Sequence, residues 1–146
     1  MISKGEEDEY CRPGTVSLNV VLKAMRKKGS LACKLFHDWQ TWYKHGKVHE
    51  DVDTVSYNSV LAALSDDTLK SEELFDDLLR SNVQPDSVSY ATLLRTYAKQ
   101  GNALAAVTLL EEMKTGDIRP TEACYEQVLY AYSQAGQPNK AKSLLL

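Results

Sequence analysis

One short sequence recurs along the chain at a spacing of about 35 residues, a period typical of stacked repeats. VSYNSVL at residues 55–61 returns as VSYATLL at residues 88–94. CYEQVL follows at residues 124–129, and the weaker copy VSLNVVL precedes them at residues 16–22. A unit of this size cannot bury its apolar face alone and must stack on its neighbours. The sequence therefore predicts a stack of supersecondary elements rather than one globular core.

Each copy opens a pair of amphipathic helices. In the third unit, Leu94, Tyr97 and Ala98 have the i, i+3, i+4 spacing of one helix face. Gly101 then suits a helix C-terminus, and Asn102 suits the N-cap of a second helix. The same alternation in the other units predicts helical hairpins throughout the chain, and hence an all-α fold.

The predicted units are residues 15–53, 54–86, 87–121 and 122–146, after an N-terminal tail at residues 1–14. Pro13-Gly14 stands before the first unit where Pro85-Asp86 stands before the third, so we expect the tail to be the remnant of an upstream repeat. The first unit carries extra residues, so its second helix is expected to be longer or followed by a loop, and Trp39, Trp42 and Tyr43 to pack between hairpins. The fourth unit is expected to be incomplete.

The composition is that of a soluble folded protein. The 146 residues carry a formal net charge of −3, with 43% hydrophobic and 25% charged residues. No apolar run approaches the ~20 residues that span a bilayer, so no membrane partner is expected. Cys11, Cys33 and Cys124 are odd in number and form no C-x-x-C pair, which favours a reducing compartment over a disulfide framework.

The sequence predicts no metal, cofactor or catalytic centre. The candidate metal ligands are His37, His45, His49, Glu50 and Asp51. The glycine between the last two histidines argues against a shared helix face, and no cysteine lies nearby. The chain has no nucleophile-elbow motif and no phosphate-binding glycine loop, so we expect a binding protein rather than an enzyme.

The units resemble the pentatricopeptide repeat family in several motifs: VSYN opening the first helix, glycine at the turn, A-x-x-L-L or L-F on the second helix, methionine, and Pro-Asp at the end. The tetratricopeptide repeat has a nearby period, but its W-x-x-L-G opening is missing. The resemblance covers Pro13 to Leu146 and implies a right-handed superhelical solenoid of helix-turn-helix repeats.

The resemblance also implies binding of single-stranded RNA, with one base read per repeat by the fifth residue of the first helix and the last residue of the repeat. The corresponding residues are Asn19 with Asp53, Asn58 with Asp86, and Ala91 with Thr121. The Asn plus Asp pairing favours uridine over cytidine in the family. We expect the third pair to be permissive or silent, and Glu126 in the fourth unit to repel RNA.

Two further sets of residues match family positions. Val16, Val55 and Val88 match the position that packs on the base, and Lys27 and Lys99 match a position directed toward phosphates. Cations gather on the predicted first helices and acids on the second helices, so a negative net charge is compatible with a positive inner lining.

Other interpretations remain open at this point. Asp53 and Asp86 precede helix starts, where aspartate is a favoured cap whatever the protein binds. The chain could be a helical scaffold that grips a protein segment, or part of an RNA-cleaving enzyme whose nuclease residues lie elsewhere. Members of the family act in organelle RNA processing, stability, editing or translation. The leading hypothesis therefore places the protein in a chloroplast or mitochondrion, although the chain shows no transit peptide.

Overall fold

A computed structural model describes residues 12–145, and the side chains of residues 12–143. The tail up to Cys11 and the side chains of the terminal leucines lie outside this part. The described residues form helices and connecting turns, with no strand among them. The helices are α1 (Thr15–Ala24), α2 (Gly29–Lys44), α3 (Thr54–Ala63), α4 (Thr68–Arg80), α5 (Ser87–Lys99), α6 (Ala103–Thr115), α7 (Glu122–Gln134) and α8 (Pro138–Leu145).

The helix starts are set by polar caps that the sequence supplies at regular intervals. Asp53 and Asp86 cap α3 and α5 in capping boxes, each with the serine three residues later. Asn102 caps α6 by accepting from the Ala105 N–H at 3.1 Å. The preceding Gly101 has a φ of +67°, a left-handed conformation that glycine adopts without a Cβ penalty. These caps and turns keep each pair of helices antiparallel and close together.

The hairpins stack into two layers. The first helices α1, α3, α5 and α7 pack side by side in chain order. Within the described residues, each second helix packs against its own first helix and, where one follows, against the next first helix. One hydrophobic cluster runs through the stack from Leu18 on α1 to Ala131 on α7. The all-α solenoid expected from the repeats is confirmed.

The extra residues of the first unit form a longer second helix and a loop. α2 has 16 residues, and residues 45–53 connect it to α3. Trp39 is 4% exposed, and its Nε1–H donates to the Glu50 carbonyl oxygen at 2.9 Å. The Glu50 carboxylate in turn accepts from the Thr15 N–H at 2.8 Å, so the loop covers the start of α1. Trp42 and Tyr43 remain 37% and 41% exposed.

The first helix of the first unit is shorter than the sequence pattern indicates. α1 ends at Ala24, so Arg26, Lys27 and Lys28 lie in the turn before α2 rather than on a helix. The turn is short, and α2 begins at Gly29. A Cβ at this position would come within 2.6 Å of the Ala63 carbonyl oxygen at the end of α3. Only glycine permits this approach.

Neither a membrane-spanning helix nor a metal-binding cluster occurs among the described residues. No helix in that part of the chain is both long and apolar enough to cross a membrane. Residues 12–143 also contain no group of three or more His, Cys, Asp and Glu side chains placed to hold a metal ion. The side chains of His37 and His45 instead contact Gln40 Oε1 and the Thr41 carbonyl oxygen.

Candidate nucleic-acid interface

Asn58 on α3 and Asp86 at the start of α5 form a hydrogen-bonded pair that bridges two hairpins. Asn58 Nδ2–H donates to Asp86 Oδ1 at 3.1 Å. The Ser89 hydroxyl donates to Asn58 Oδ1 at 2.6 Å, and the Ser89 N–H donates to Asp86 Oδ1 at 2.9 Å. The amide is therefore held at both of its polar atoms, with one N–H and one oxygen lone pair left over. Those two groups are what it can offer to a ligand.

Asn19 on α1 makes the same contacts one hairpin earlier. Its Nδ2–H donates to Asp53 Oδ1 at 3.1 Å, and the Ser56 hydroxyl donates to Asn19 Oδ1 at 2.7 Å. Asn19 is buried, with 8% of its surface exposed, whereas Asn58 is half-buried. The two asparagines are therefore equivalent in their hydrogen bonds and differ in accessibility.

Both aspartates are held in the ionised form. Burial raises the pKa of Asp86, but the hydrogen bonds from the Ser89 N–H and the Asn58 amide outweigh it and leave the pKa below its ordinary value. Asp53 behaves in the same way through Ser56 and Asn19. A carboxylate acceptor at neutral pH fixes which end of each amide faces it.

An open groove of about 860 Å³ runs over the exposed face of the first helices. Val55 and Val88 line it and are 42% and 55% exposed, which is unusual for valines on helices that otherwise bury their apolar residues. The groove is lined by Lys23, Arg26, Val55, Asn58, Ser59, Ala62, Ser65, Asp86, Ser87, Val88, Ala91, Thr92, Arg95, Thr121, Ala123 and Gln127. It combines apolar surface, one asparagine–aspartate pair and three cations.

A smaller recess of about 470 Å³ adjoins the groove at the C-terminal ends of the first helices. Arg26 and Arg95 line both cavities, and Lys27 and Lys99 line the recess. Lys99 Nζ donates to Asp66 Oδ1 at 3.1 Å and to Ser65 Oγ at 2.9 Å. Four cations against one carboxylate make the recess positive.

The structure brings most of the sequence-predicted site residues together. Six of them line the groove: Val55, Asn58, Asp86, Val88, Ala91 and Thr121. Lys27 and Lys99 lie in the recess. Asn19, Asp53 and Val16 line neither cavity, although Val16 is 78% exposed on α1. Glu126 is exposed on α7 and also lies outside the groove lining.

The third unit lacks the polar pair altogether. Ala91 has no polar group to present, and Thr121 stands at the start of α7 without a side-chain hydrogen bond to the helix N-terminus. Cys124 occupies the position of Ser56 and Ser89, is fully buried, and contacts Met113 Sδ at 3.8 Å. This part of the groove has the Thr121 hydroxyl, which contacts Cys124 Sγ at 3.4 Å, but neither an amide nor a carboxylate at the pair position.

Sequence reasoning missed the serines and part of the cationic lining. Ser56 and Ser89 stand three residues after the capping aspartates, where a capping box could have been recognised from the sequence. Their bonds to asparagines of the preceding hairpin depend on how the hairpins stack. Arg95 lines both cavities, and its place between them depends on the same geometry.

The fold and the groove define an α-solenoid repeat protein whose groove is basic and partly apolar. Residues 73–135 match the family model described as pentatricopeptide repeat domain. "Pentatricopeptide repeat-containing protein 1, apicoplast" of Plasmodium falciparum is 31% identical over 103 residues, covering 68% of this chain and 16% of that protein. "Leucine-rich PPR motif-containing protein, mitochondrial" of Xenopus tropicalis is 28% identical over 118 residues, covering 75% of this chain and 8% of that protein. The chain thus spans a small part of both.

Solved structures show the same fold. The maize pentatricopeptide repeat protein PPR10, in complex with an 18-nucleotide psaJ RNA element, superposes with a TM-score of 0.76 at 24% identity. The match covers 92% of this chain and 20% of that one. The match to the family model and the 31% identity to the Plasmodium falciparum protein show that the chain belongs to the pentatricopeptide repeat family.

Proposed function

We propose that the chain binds single-stranded RNA along the groove of its first helices. The observation that carries this proposal is the Asn58–Asp86 pair, which lies in the groove beside two exposed valines and among Arg and Lys side chains. These three protein groups match the three parts of a nucleotide. The apolar surface suits a base face, the fixed amide suits a base edge, and the cations suit a phosphate.

Each group has a distinct part in the proposed contact. Val55 and Val88 pack against base faces, and the Asn58 amide donates and accepts at a pyrimidine edge. Arg26, Arg95 and the recess lysines attract phosphates, with a contribution that falls as salt rises. The first and second units, with their Asn plus Asp pairs, favour uridine; the second has its pair in the groove, and the first has the same pair one hairpin earlier, outside the groove lining. The unit with Ala91 and Thr121 accepts any base without reading it.

The proposal extends to the protein's setting. We place the protein in an organelle because the two relatives are named as apicoplast and mitochondrial proteins. There it would act in RNA processing, stability, editing or translation. In this proposal the segment binds RNA rather than cleaving it, and any chemistry is done by other domains or partner proteins. PPR10, which shares the fold, was solved with RNA bound.

The test is a fluorescence-anisotropy titration of labelled oligouridine and oligoadenosine at low salt, with Asn58→Ala as the matched variant. Two or three contacted bases give about 1–3 kcal/mol each before entropy costs, so we expect micromolar or weaker binding. Oligouridine should bind more tightly than oligoadenosine, and Asn58→Ala should reduce the difference. Equal affinities that the substitution leaves unchanged would contradict RNA reading and favour the protein-scaffold alternative.

A further inference from the structure

Ser56 and Ser89 each make hydrogen bonds to two hairpins at once. The Ser89 Oγ accepts from the Asp86 N–H at 3.1 Å, which is one half of the capping box of α5. The same oxygen donates its proton to Asn58 Oδ1 on the preceding hairpin. Ser56 does the same between the Asp53 N–H at 3.1 Å and Asn19 Oδ1. Both serines are fully buried, so water cannot replace either contact.

The hydroxyl proton points to the asparagine rather than to the aspartate. Ser89 Oγ lies 2.6 Å from Asn58 Oδ1 and 3.0 Å from Asp86 Oδ1, and the corresponding distances for Ser56 are 2.7 and 2.9 Å. A hydroxyl has one proton, and Oδ1 of each aspartate already accepts from a backbone N–H and from an asparagine amide. Each asparagine is consequently held by the carboxylate at Nδ2 and by the serine at Oδ1, which fixes its amide plane.

The third unit provides an internal comparison. Where the first two hairpin junctions have asparagine, aspartate and serine, the third has Ala91, Thr121 and Cys124. Among the junctions that the structure describes, the buried serine is missing at the third, which has no amide to orient. Thiols are weak donors, so Cys124 can fill the space of the serine without supplying its hydrogen bond.

We propose that Ser56 and Ser89 are positioning residues for base selection: by fixing the amides of Asn19 and Asn58, they determine which polar atoms face a base. The inference rests on the proposed RNA-binding function. A free amide can rotate to suit several base edges, whereas a fixed amide presents one N–H and one lone pair in a set direction. The serines therefore act on selectivity more than on total affinity.

The first experiment replaces both serines by cysteine in the full chain. Cys124 is buried at the equivalent position, so the fold accepts cysteine there. Affinities for oligouridine and oligocytidine are measured at low salt and at a temperature where thermal melts show the variant to be folded. The wild-type preference for oligouridine should fall about fivefold in Ser56→Cys/Ser89→Cys, the value of a lost hydrogen bond. A folded variant with an unchanged preference would overturn the inference.

Ser71→Cys is the matched control. Ser71 is also fully buried, but its hydroxyl donates to the Leu64 carbonyl oxygen within one hairpin and away from the groove. It should lower the melting temperature and leave the preference unchanged. A wild-type chain that binds neither RNA would overturn the proposed function and the inference together, whereas wild-type preference retained in the cysteine variant overturns the inference alone.

A gain-of-function experiment tests the same idea in the opposite direction. Ala91→Asn/Thr121→Asp rebuilds the pair in the third unit without the positioning group, and adding Cys124→Ser restores the full junction. Only the triple variant should increase the oligouridine preference above the wild-type value. An equal increase in the double variant would show that the hydroxyl is not needed and would overturn the inference.

Discussion

Asp86 has two separable roles, and removing its side chain should affect both. Its carboxylate caps α5 through the Ser89 N–H and holds the Asn58 amide. Loss of a helix cap costs about 1 kcal/mol. Loss of the hydrogen bond from the Asn58 amide adds about 0.5 kcal/mol, because Asn58 is half-buried and water can partly replace the carboxylate as acceptor. Asp86→Ala should therefore lower the free energy of unfolding by about 1.5 kcal/mol, or the melting temperature by about 5 °C.

Binding should change in a different way. Asp86→Ala removes a negative charge from the groove, which favours any RNA at low salt. It also releases the amide that reads the base. The informative quantity is consequently the ratio of oligouridine to oligoadenosine affinity, which should fall about fivefold for one lost anchoring hydrogen bond. The change in total affinity is a balance of these two opposing effects.

Asp67→Ala is the matched control for the cap. Asp67 caps α4 by accepting from the Lys70 N–H at 3.2 Å, but it holds no asparagine and lies outside the groove. It should destabilise the fold and leave the base preference at the wild-type value. A role for Asp86 in base selection is excluded if Asp86→Ala keeps the wild-type ratio, or if Asp67→Ala changes the ratio as much.

Three other predictions concern stability. Folding lowers the pKa values of Asp53 and Asp86. The stability that the two carboxylates contribute is therefore present above about pH 4 and is lost as the pH falls through their folded pKa values. Thermal melts between pH 2.5 and 6 should show the melting temperatures of wild type and the double Asp→Asn variant converging at low pH. Gly29→Ala should destabilise by about 1–3 kcal/mol in urea unfolding because the added methyl meets a backbone carbonyl; a stabilised variant would refute the close approach. Burial and the hydrogen bond to Glu72 raise the pKa of Tyr97 well above its usual value, so Tyr97→Phe should leave the ultraviolet titration of the tyrosines below pH 11 unchanged and cost about 1 kcal/mol. A tyrosine signal lost below pH 11 would contradict that burial.

The repeats made the fold predictable, whereas the stacking geometry did not follow from the sequence. The recurrence of VSY-type starts and the Gly101-Asn102 turn indicate hairpins directly, because caps and turns depend on local chemistry. The end of α1 at Ala24 did not follow from the sequence pattern, and the close approach of Gly29 to Ala63 depends on the neighbouring hairpin. For the same reason, the sequence did not reveal the bond from Ser89 to Asn58 or the burial of Asn19.

The central claim is that the amide of Asn58 contacts a base. The most direct measurement is the side-chain amide resonance of Asn58 in a nitrogen-15 spectrum of the chain, assigned by its loss in Asn58→Ala and followed during titration with oligouridine. Asn102, which caps α6 outside the groove, serves as the internal reference. Base contact by Asn58 should give a saturable shift of its resonance with little change at Asn102. RNA binding that leaves the Asn58 resonance in place would contradict it.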